Sequence, residues 1–331
     1  RGWRLCSASR FTRLLPAHMD GDFDRYRHAG QRHGCIDRHA CVSAQIPSFI
    51  HLQRSQKMIT SKMTLSKSSV LLMFGLVLLV GMAMPKVSWA LTAVEIMEKN
   101  FVVGKYPDST SESTMTLTNK SGQQRVRKTF GTSKLDANGI DNKRMTRFLE
   151  PADVKGTVSL LVEHSDKDDD IWIYLPSVKK VRRLISSNKK DSFVGTDFSY
   201  GDVIGHKVNE WNHTLTKEEE IDGAACYVIE SIPKDATVKA NTGYAKRISW
   251  IQKDNFVTVK TVAYDEANEL LKEATYKRWK EVEPVKHRWQ AGILEAKNLQ
   301  TGHRTVITID QSKYNTGVKD DFFTTRYMEQ Q

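Results

Sequence analysis

Cysteine is nearly absent from most of this 331-residue chain. Four cysteines occur, and only Cys226 lies beyond residue 41. A single cysteine can form neither an internal disulfide nor a tetrahedral cysteine zinc site. Residues 91–331 must therefore be held together by a packed core. About 240 residues suffice for this, because a chain of that size buries roughly 70–75% of its unfolded surface.

A surplus of charge is also missing from residues 91–331. They contain 37 Lys and Arg against 35 Asp and Glu, whereas residues 1–90 contain 13 against 4. The formal net charge of +11 therefore belongs mainly to the first 90 residues. Nucleic-acid binding needs a basic face on the folded part of a protein. We therefore expect no nucleic-acid partner.

Sequence motifs of common catalytic and cofactor sites are missing as well. The chain has no P-loop, no dinucleotide-binding glycine fingerprint, no nucleophile-elbow serine and no zinc-protease histidine pair. The Ser-x-x-Lys spacing occurs three times between residues 177 and 190, within one lysine-rich stretch and without its partner motifs. We predict neither an enzyme nor a bound cofactor.

Three groups of potential metal ligands are better explained without a metal. Residues 166–170 are acidic, but Ile171 stands where an EF-hand loop needs glycine, so we expect an acidic hairpin turn. His206 and His213 are spaced more widely than zinc-binding pairs, and we expect both to be solvated loop histidines. Cys226 lies in an alternating strand and is expected to be an apolar filler.

One long apolar run is present, from Val70 to Met84, and it is too short for a membrane-spanning helix, which needs about 20 apolar residues. Lysines precede the run, and the small-x-small sequence Ser88-Trp89-Ala90 follows it. This order predicts a secretory signal peptide over 58–90, cut between Ala90 and Leu91. We therefore expect a periplasmic mature protein, residues 91–331, with no stable membrane anchor.

The stretch before that signal shows no apolar periodicity. Residues 1–57 begin with Arg1 and scatter Arg, His and Cys without a pattern of either period. We interpret them as translated upstream sequence that is not native to the protein. No function and no ordered structure are expected there.

The mature part opens with a helical pattern. Thr92 and Glu95 have the spacing of a capping box, and Val94, Met97 and Phe101 fall on one helical face. These positions predict one short amphipathic helix.

After residue 112 the apolar period changes to two, and turns rich in Asp, Asn and Gly separate the alternating segments. No helical pattern lies between them, which argues against a parallel α/β fold. Ten or eleven short strands are therefore expected, in a mainly β, antiparallel meander closed or half closed into a barrel. The segments are 113–118, 124–130, 145–149, 157–163, 171–175, 225–232, 245–252, 257–264, 270–279, 288–297 and 305–310.

Two of these segments, 158–162 and 171–175, are apolar on both faces. An antiparallel sheet with one wet face should alternate instead. Either the hairpin is covered on both sides, for example by the N-terminal helix, or one side lines a cavity that an apolar ligand fills. The sequence leaves both interpretations open. The candidate cavity residues are Met115, Leu117, Phe148, Leu160, Val162, Trp172 and Tyr174.

The segment Ser186–His213 contains glycines and aromatics but no strand pattern, and it is long for a connector. Asp197 or Ser199 is placed to cap a helical turn over residues 200–204. We expect this segment to form a lid over the cavity, with an apolar plug formed by Phe193, Phe198 and Tyr200.

Lys179, Lys180, Arg182 and Arg183 form the densest basic run. On an edge strand such a run discourages pairing with another sheet. The alternative is contact with anionic headgroups or with an acidic partner protein.

Several ordered blocks resemble a known family. They are residues 147–157 (RFLEPADVKGT), 169–176 (DDIWIYLP), 179–184 (KKVRRL) and 192–202 (SFVGTDFSYGD), with further similarity at 298–302 and 322–327. Together they are similar to the outer-membrane lipoprotein-sorting protein family, a distant branch of the LolA/LolB-like superfamily, over essentially all of 91–331. The resemblance implies an unclosed antiparallel β-barrel with helices in its concave face, around an apolar cavity, and it implies no catalytic residues.

The resemblance also implies a function. In that superfamily the cavity accepts lipoprotein acyl chains, so we expect a periplasmic carrier of lipid or lipoprotein acyl chains for outer-membrane lipoprotein sorting or envelope lipid transport. The alternative is a non-enzymatic sensor or accessory module that docks on an inner-membrane exporter. Ligand binding separates the two hypotheses.

Overall fold

The computed structural model of the protein describes residues 90–330, so the predicted signal peptide and the stretch before it lie outside the described residues. Within this range the chain forms fifteen strands, four short α-helices and several 3-10 turns. The helices are α1 (Ala93–Val103), α2 (Tyr200–Ile204), α3 (Ala236–Thr242) and α4 (Thr325–Glu329). The strands are β1 (Asp108–Thr118), β2 (Gln124–Leu135), β3 (Asn142–Glu150), β4 (Val158–Val162), β5 (Asp170–Leu175), β6 (Lys180–Leu184), β7 (Trp211–Ile221), β8 (Ala224–Pro233), β9 (Lys246–Gln252), β10 (Thr258–Tyr264), β11 (Leu270–Lys277), β12 (Lys280–Glu283), β13 (Arg288–Gln290), β14 (Ile293–Asn298) and β15 (Arg304–Tyr314).

Thirteen of the strands form one antiparallel sheet in the order β6-β5-β4-β3-β2-β1-β15-β14-β11-β10-β9-β8-β7. The terminal strands β6 and β7 pair with one neighbour each, so the sheet does not close. Strands β12 and β13 form a separate two-stranded ribbon. The predicted unclosed antiparallel architecture is confirmed.

The predicted number of strands was too low. Strand β7 was missed because it is an edge strand whose residues 214–220 are mostly exposed and polar, and such a strand shows no apolar alternation. The region predicted as a single strand over 288–297 is two strands, β13 and β14, separated at Gly292. The basic run forms β6, at the opposite edge of the sheet.

The sheet curls around its own connecting segment. Strands β5 and β11 are seven positions apart in the sheet, or about 34 Å if it were flat. Nevertheless Val203 packs both against the cluster that contains Ile171 of β5 and against the cluster that contains Ala274 of β11. We call the face that carries these residues concave and the other face convex.

Helix α1 fills one part of the concave face. The predicted capping box is confirmed: the Thr92 side chain accepts a hydrogen bond from the Glu95 amide, and the Glu95 carboxylate accepts one from the Thr92 amide. Ile96 is fully buried against Ile229 of β8 and Ile251 of β9. Burying such side chains contributes roughly 1.5–3 kcal/mol each, which holds the helix on the sheet.

Both faces of the apolar hairpin β4–β5 are covered. On the concave side Leu161 and Ile171 pack with Phe193 and Tyr200 of the β6–β7 connection. On the convex side Leu160 packs with residues of the C-terminal segment 318–328. The continuous apolar sequence is therefore explained by two separate protein covers, neither of which is the N-terminal helix.

This arrangement predicts matched destabilisation at two neighbouring positions. Leu160→Ala and Leu161→Ala should each lower the free energy of unfolding by about 2–5 kcal/mol, because both side chains are buried, on opposite faces. Leu270→Ala, at a leucine that is 42% exposed, is the control and should cost much less. Urea denaturation measures all three, and a near-neutral result at either Leu160 or Leu161 would show that its face is not covered.

Candidate functional site

The concave face is not completely filled by α1 and the β6–β7 connection, and spaces remain between them and the sheet. The first, which we call the apolar pocket, has a volume of about 470 Å³ and lies between α1, the β2–β3 and β4–β5 turns and residues 204–211. The second, the polar chamber, has about 270 Å³ and lies between α1 and strands β8 to β11. A third space of about 330 Å³ lies over β1–β3.

The apolar pocket is lined mainly by hydrophobic side chains, with a few charged ones. The hydrophobic walls are formed by Val94, Phe101, Val102, Ile140, Ile204, Val208 and Trp211. The charged lining residues are Asp141, Glu163, Asp169, Lys207 and Lys234. An apolar space with a few polar groups is the usual form of a small-molecule site.

These wall residues were not among the sequence candidates. Helix α1 carries apolar residues on two faces, with Ile96 and Val103 turned into the core and Val94 and Phe101 lining the pocket. Val94 remains 46% exposed. A helix that packs on one side only needs one apolar stripe, so the second stripe is the signal that marks the pocket.

The β6–β7 connection is fixed to the sheet by an ion pair between Asp202 of α2 and Lys272 of β11. Their charged atoms are 2.5 Å apart, and both side chains are about nine-tenths buried. The Tyr244 hydroxyl also donates to the Asp202 carboxylate at 3.0 Å. The carboxylate accepts a further hydrogen bond from the Ser199 amide, and the Ser199 hydroxyl accepts one from the Asp202 amide, so Ser199 caps α2 as predicted.

Three cationic side chains of the concave face hold backbone carbonyls of the same connection. Arg127 of β2 donates to the Val194 carbonyl, and Arg144 of β3 donates to the Val203 carbonyl. Lys272 of β11 donates to the Asp197 carbonyl at 3.0 Å. Val194 has a left-handed backbone conformation, with φ of 48°, which is strained for a β-branched residue. A strained conformation persists only where surrounding contacts fix it, and the hydrogen bond from Arg127 to the Val194 carbonyl is such a contact.

Burial and charge shift the pKa values in this cluster in opposite directions. Burial alone would raise the pKa of Asp202, but the Lys272 ammonium and the His206 ring hold it well below its usual range. Burial, helped by the nearby Arg247 guanidinium, lowers the pKa of His206 to about 4. At neutral pH the cluster therefore contains an ionised carboxylate and a neutral imidazole.

The predicted cavity residues are divided between the two faces. Met115 lines the third space, and Leu117 and Phe148 pack beneath the β6–β7 connection. The side chains of Leu160, Val162, Trp172 and Tyr174 lie on the convex face under the C-terminal segment. The period of two along a strand places them opposite Leu161 and Ile171, so these four residues do not line the concave spaces.

The predicted lid residues all lie on the concave face, but in two separate clusters. Phe193 and Tyr200 are buried against the β3–β5 wall, with their ring centroids 5.4 Å apart. Phe198 is buried against Ala274 of β11 and Ala296 of β14. On β6, the side chains of Lys180, Arg182 and Arg183 are all exposed, and Arg183 pairs with Asp170 at 2.5 Å. Lys179 lies in the preceding turn.

The expectation of solvated histidines was wrong. His206 is about nine-tenths buried and lies edge-to-face with Trp211 and Tyr244. The His213 ring is hydrogen-bonded to the Ser231 hydroxyl and to the Val208 carbonyl. Because glycines and polar residues surround His206 in the sequence, the local pattern resembles an exposed loop, and only the folded sheet brings its aromatic neighbours near.

Two carboxylates of the acidic run 166–170 pair with basic side chains. Asp169 binds Lys189 at 2.6 Å, and Asp170 binds Arg183. Over residues 90–330 there is no group of three or more His, Cys, Asp or Glu side chains arranged to hold a metal ion.

Cys226 is fully buried on β8, as expected for an apolar filler.

None of the helices between residues 90 and 330 is both long enough and apolar enough to cross a membrane.

Comparison with known proteins identifies one matching family model and several similar structures. A family model described as an uncharacterized protein matches residues 140–330, and no curated protein matches the sequence. Among solved structures, a Vibrio parahaemolyticus domain named for outer membrane lipoprotein sorting is 29% identical, with a TM-score of 0.66 over 72% of this chain and 98% of its own. A DUF1329 family protein from Desulfovibrio piger is also 29% identical, with a TM-score of 0.65 over 71% of this chain and 97% of its own. A LolA superfamily protein from Nitrosomonas europaea shares the fold, at 21% identity and a TM-score of 0.56 over 72% of this chain and 100% of its own.

The burial of His206 predicts a pH-dependent stability. The unfolded chain binds a proton near the ordinary imidazole pKa of 6.5, whereas the folded chain binds it only near 4. Stability should therefore fall as the pH drops from 6.5 towards 4, on the order of 1 kcal/mol per pH unit. The Asp202 carboxylate, with its lowered pKa, adds a loss only below its ordinary value of 3.8.

His206→Gln should reduce this slope in urea denaturation measured between pH 7 and 4. A smaller slope should remain, because the pKa of His213 is also lowered by burial. Asn209→Gln, at an exposed residue of the same connection, removes no titratable group and serves as the control that should leave the slope as it is. An unchanged slope in His206→Gln would contradict the assignment.

Proposed function

Because this chain belongs to the outer-membrane lipoprotein-sorting protein family, a branch of the LolA-like superfamily, we propose that its mature part binds acyl chains of lipid or lipoprotein in the periplasm and carries them through water. The observation that carries the proposal is the apolar pocket on the concave face, between α1 and residues 204–211. The similarity in fold supports a carrier function, and the apolar walls of the pocket support an acyl chain as the ligand.

The size and chemistry of the pocket suit this role. Its volume of about 470 Å³ lies within the usual range for ligand sites, roughly 300–1,000 Å³. Each buried CH₂ contributes about 0.8 kcal/mol, so an enclosed sixteen-carbon chain gains on the order of 10 kcal/mol before ordering costs. Hydrophobic walls provide this free energy without specific polar contacts, which is what a carrier of varied chains needs.

Native mass spectrometry tests the proposal directly. Protein purified without detergent should carry a lipid that organic extraction releases, and emptied protein should take up a fluorescent fatty acid. Protein that is always empty and takes up no fatty acid would favour the alternative, a module that docks on an inner-membrane exporter without a lipid.

We also propose that residues 193–204 gate the concave spaces. This part of the connection separates the third space from the polar chamber, and Val203 and Asp202 line both. Its cationic anchors lie on β2, β3 and β11, so opening requires those contacts to break. A bulky chain can enter the interior once the segment lifts.

A matched pair of valines tests the pocket walls. Val94 of α1 lines the apolar pocket and is 46% exposed, whereas Val126 of β2 lines none of the three spaces and is 48% exposed. Val94→Gln should weaken fatty-acid binding about five-fold, because a partly buried valine contact worth about 1 kcal/mol is lost. Val126→Gln should leave binding unchanged, and equal effects of the two variants in a fluorescence titration would count against the pocket.

A threonine pair on β15 tests the gate. The buried Thr305 hydroxyl donates to the Asp197 carboxylate at 2.7 Å and accepts from the Asp197 amide at 3.0 Å. Thr305→Val removes both hydrogen bonds and should loosen the segment, so a fluorescent fatty acid should associate several-fold faster in stopped-flow mixing. Thr308→Val, on the convex side of the same strand, is the control. Identical association rates for wild type and Thr305→Val would show that the segment does not limit entry.

A further inference from the structure

An arginine in the polar chamber forms no ion pair with any residue that the structure describes, and Asp202, the carboxylate near it, pairs with Lys272 instead. Arg247 lies on β9, directly opposite Ser231 of β8 and Ala263 of β10, with its side chain on the concave face. The centre of its guanidinium group is 6.0 Å from the ring centroid of Trp211 and 5.9 Å from that of Tyr244. Among residues 90–330 the side chain makes no ion pair within 4.0 Å and no hydrogen bond. Five N–H donors are therefore left for a ligand.

A second donor in the same chamber is also unused. Trp211 is only 2% exposed, and its indole Nε1 has no hydrogen-bond partner within the described range. A buried polar group without a partner costs about 1–3 kcal/mol. The Trp279 indole Nε1, which also belongs to the chamber, has no hydrogen-bond partner either. The other two buried atoms of the chamber without a hydrogen bond face charged groups, because Glu163 Oε1 lies 3.3 Å from Arg144 and His206 Nε2 lies 3.5 Å from Asp202. The unused donors require an acceptor, and beside a guanidinium the favoured acceptor carries negative charge.

The fixed charges around the chamber also favour an anionic ligand. Lys105 and Arg144 share the single carboxylate of Glu163, at 2.5 and 3.3 Å. Asp202 is already neutralised by Lys272. Together with Arg247 these six groups leave a net positive charge, although residues 91–331 as a whole are nearly balanced.

The chamber adjoins the apolar pocket. Phe101, Ile204 and Trp211 form walls of both spaces. A molecule with an anionic group in the chamber can thus extend an alkyl chain into the apolar pocket without leaving the concave face.

We propose that Arg247 and the Trp211 indole bind the anionic headgroup, a phosphate or a carboxylate, of an amphiphile whose chain occupies the apolar pocket. The assignment rests on the proposed acyl-chain binding and adds the ligand class to it: a single-chain anionic lipid, as opposed to a neutral one. Bidentate recognition by a guanidinium suits both headgroups.

Three probes with the same sixteen-carbon chain separate the headgroups: palmitate, monopalmitoyl lysophosphatidate and the neutral hexadecanol. Displacement of a fluorescent fatty acid is measured with the purified protein at neutral pH. Arg247→Gln should weaken at least one anionic probe about ten-fold and leave hexadecanol unchanged. The probe with the larger loss identifies the headgroup as carboxylate or phosphate.

Two further variants control for folding and for bulk charge. Arg247→Lys keeps the charge and should restore part of the lost affinity. Lys246→Gln removes the same charge from the neighbouring residue on the convex face, where Lys246 pairs with Glu230 at 3.5 Å, and it should not alter binding. Thermal melting confirms that each variant is folded.

Two outcomes would overturn the assignment. If Arg247→Gln weakens hexadecanol as much as the anionic probes, or weakens none of them, Arg247 does not bind a headgroup, while acyl-chain binding still stands. If the wild-type protein binds none of the three probes, the proposed acyl-chain binding fails, and the headgroup assignment fails with it.

Discussion

The ion pair between Asp202 and Lys272 joins the interior of this open barrel to its wall. Neither edge of the sheet is paired to the other, so curvature must be held by what the sheet encloses. The Asp202 carboxylate meets that need with three contacts, since it accepts hydrogen bonds from the Ser199 amide, from Lys272 and from the Tyr244 hydroxyl. Removing one partner of such a pair leaves an uncompensated buried charge, which costs several kcal/mol. The position of α2, and with it the shape of the concave spaces, depends on this one side chain.

Sequence reasoning found what depends on local pattern. The antiparallel meander follows from the period of two, and the caps at Thr92 and Ser199 follow from short-range hydrogen bonding that a few residues determine. Sequence reasoning failed where the burial of a residue depends on strands that are distant in the sequence. The burial of His206 needs Trp211 and Tyr244, which the sheet brings together, and the side of β4 that meets the interior depends on the C-terminal segment. Strand β7 was missed because an exposed edge needs no apolar alternation.

Overall charge balance concealed the character of the interior. Equal numbers of acids and bases say nothing about where they lie, and here arginines and lysines of β2, β3, β9 and β11 face inward. Three of these four cations hold carbonyl groups of the β6–β7 connection, and one does not. The apolar walls of α1 lie beside that remaining cation, so the enclosed space is itself amphiphilic, like the class of ligand proposed for it.

The connection that fills the interior also links the two free edges of the sheet. It leaves β6 at Leu184 and enters β7 at Trp211, so its ends move with those strands. If the middle of the connection lifts from the wall, the connection spans a shorter distance between β6 and β7. If β6 and β7 move apart, the middle of the connection is pulled tight. The circumference of the barrel and the occupancy of its centre are therefore mechanically coupled through a single length of chain. Under the proposed function, a ligand would enter between the two edge strands and not through an opening at one end of the barrel.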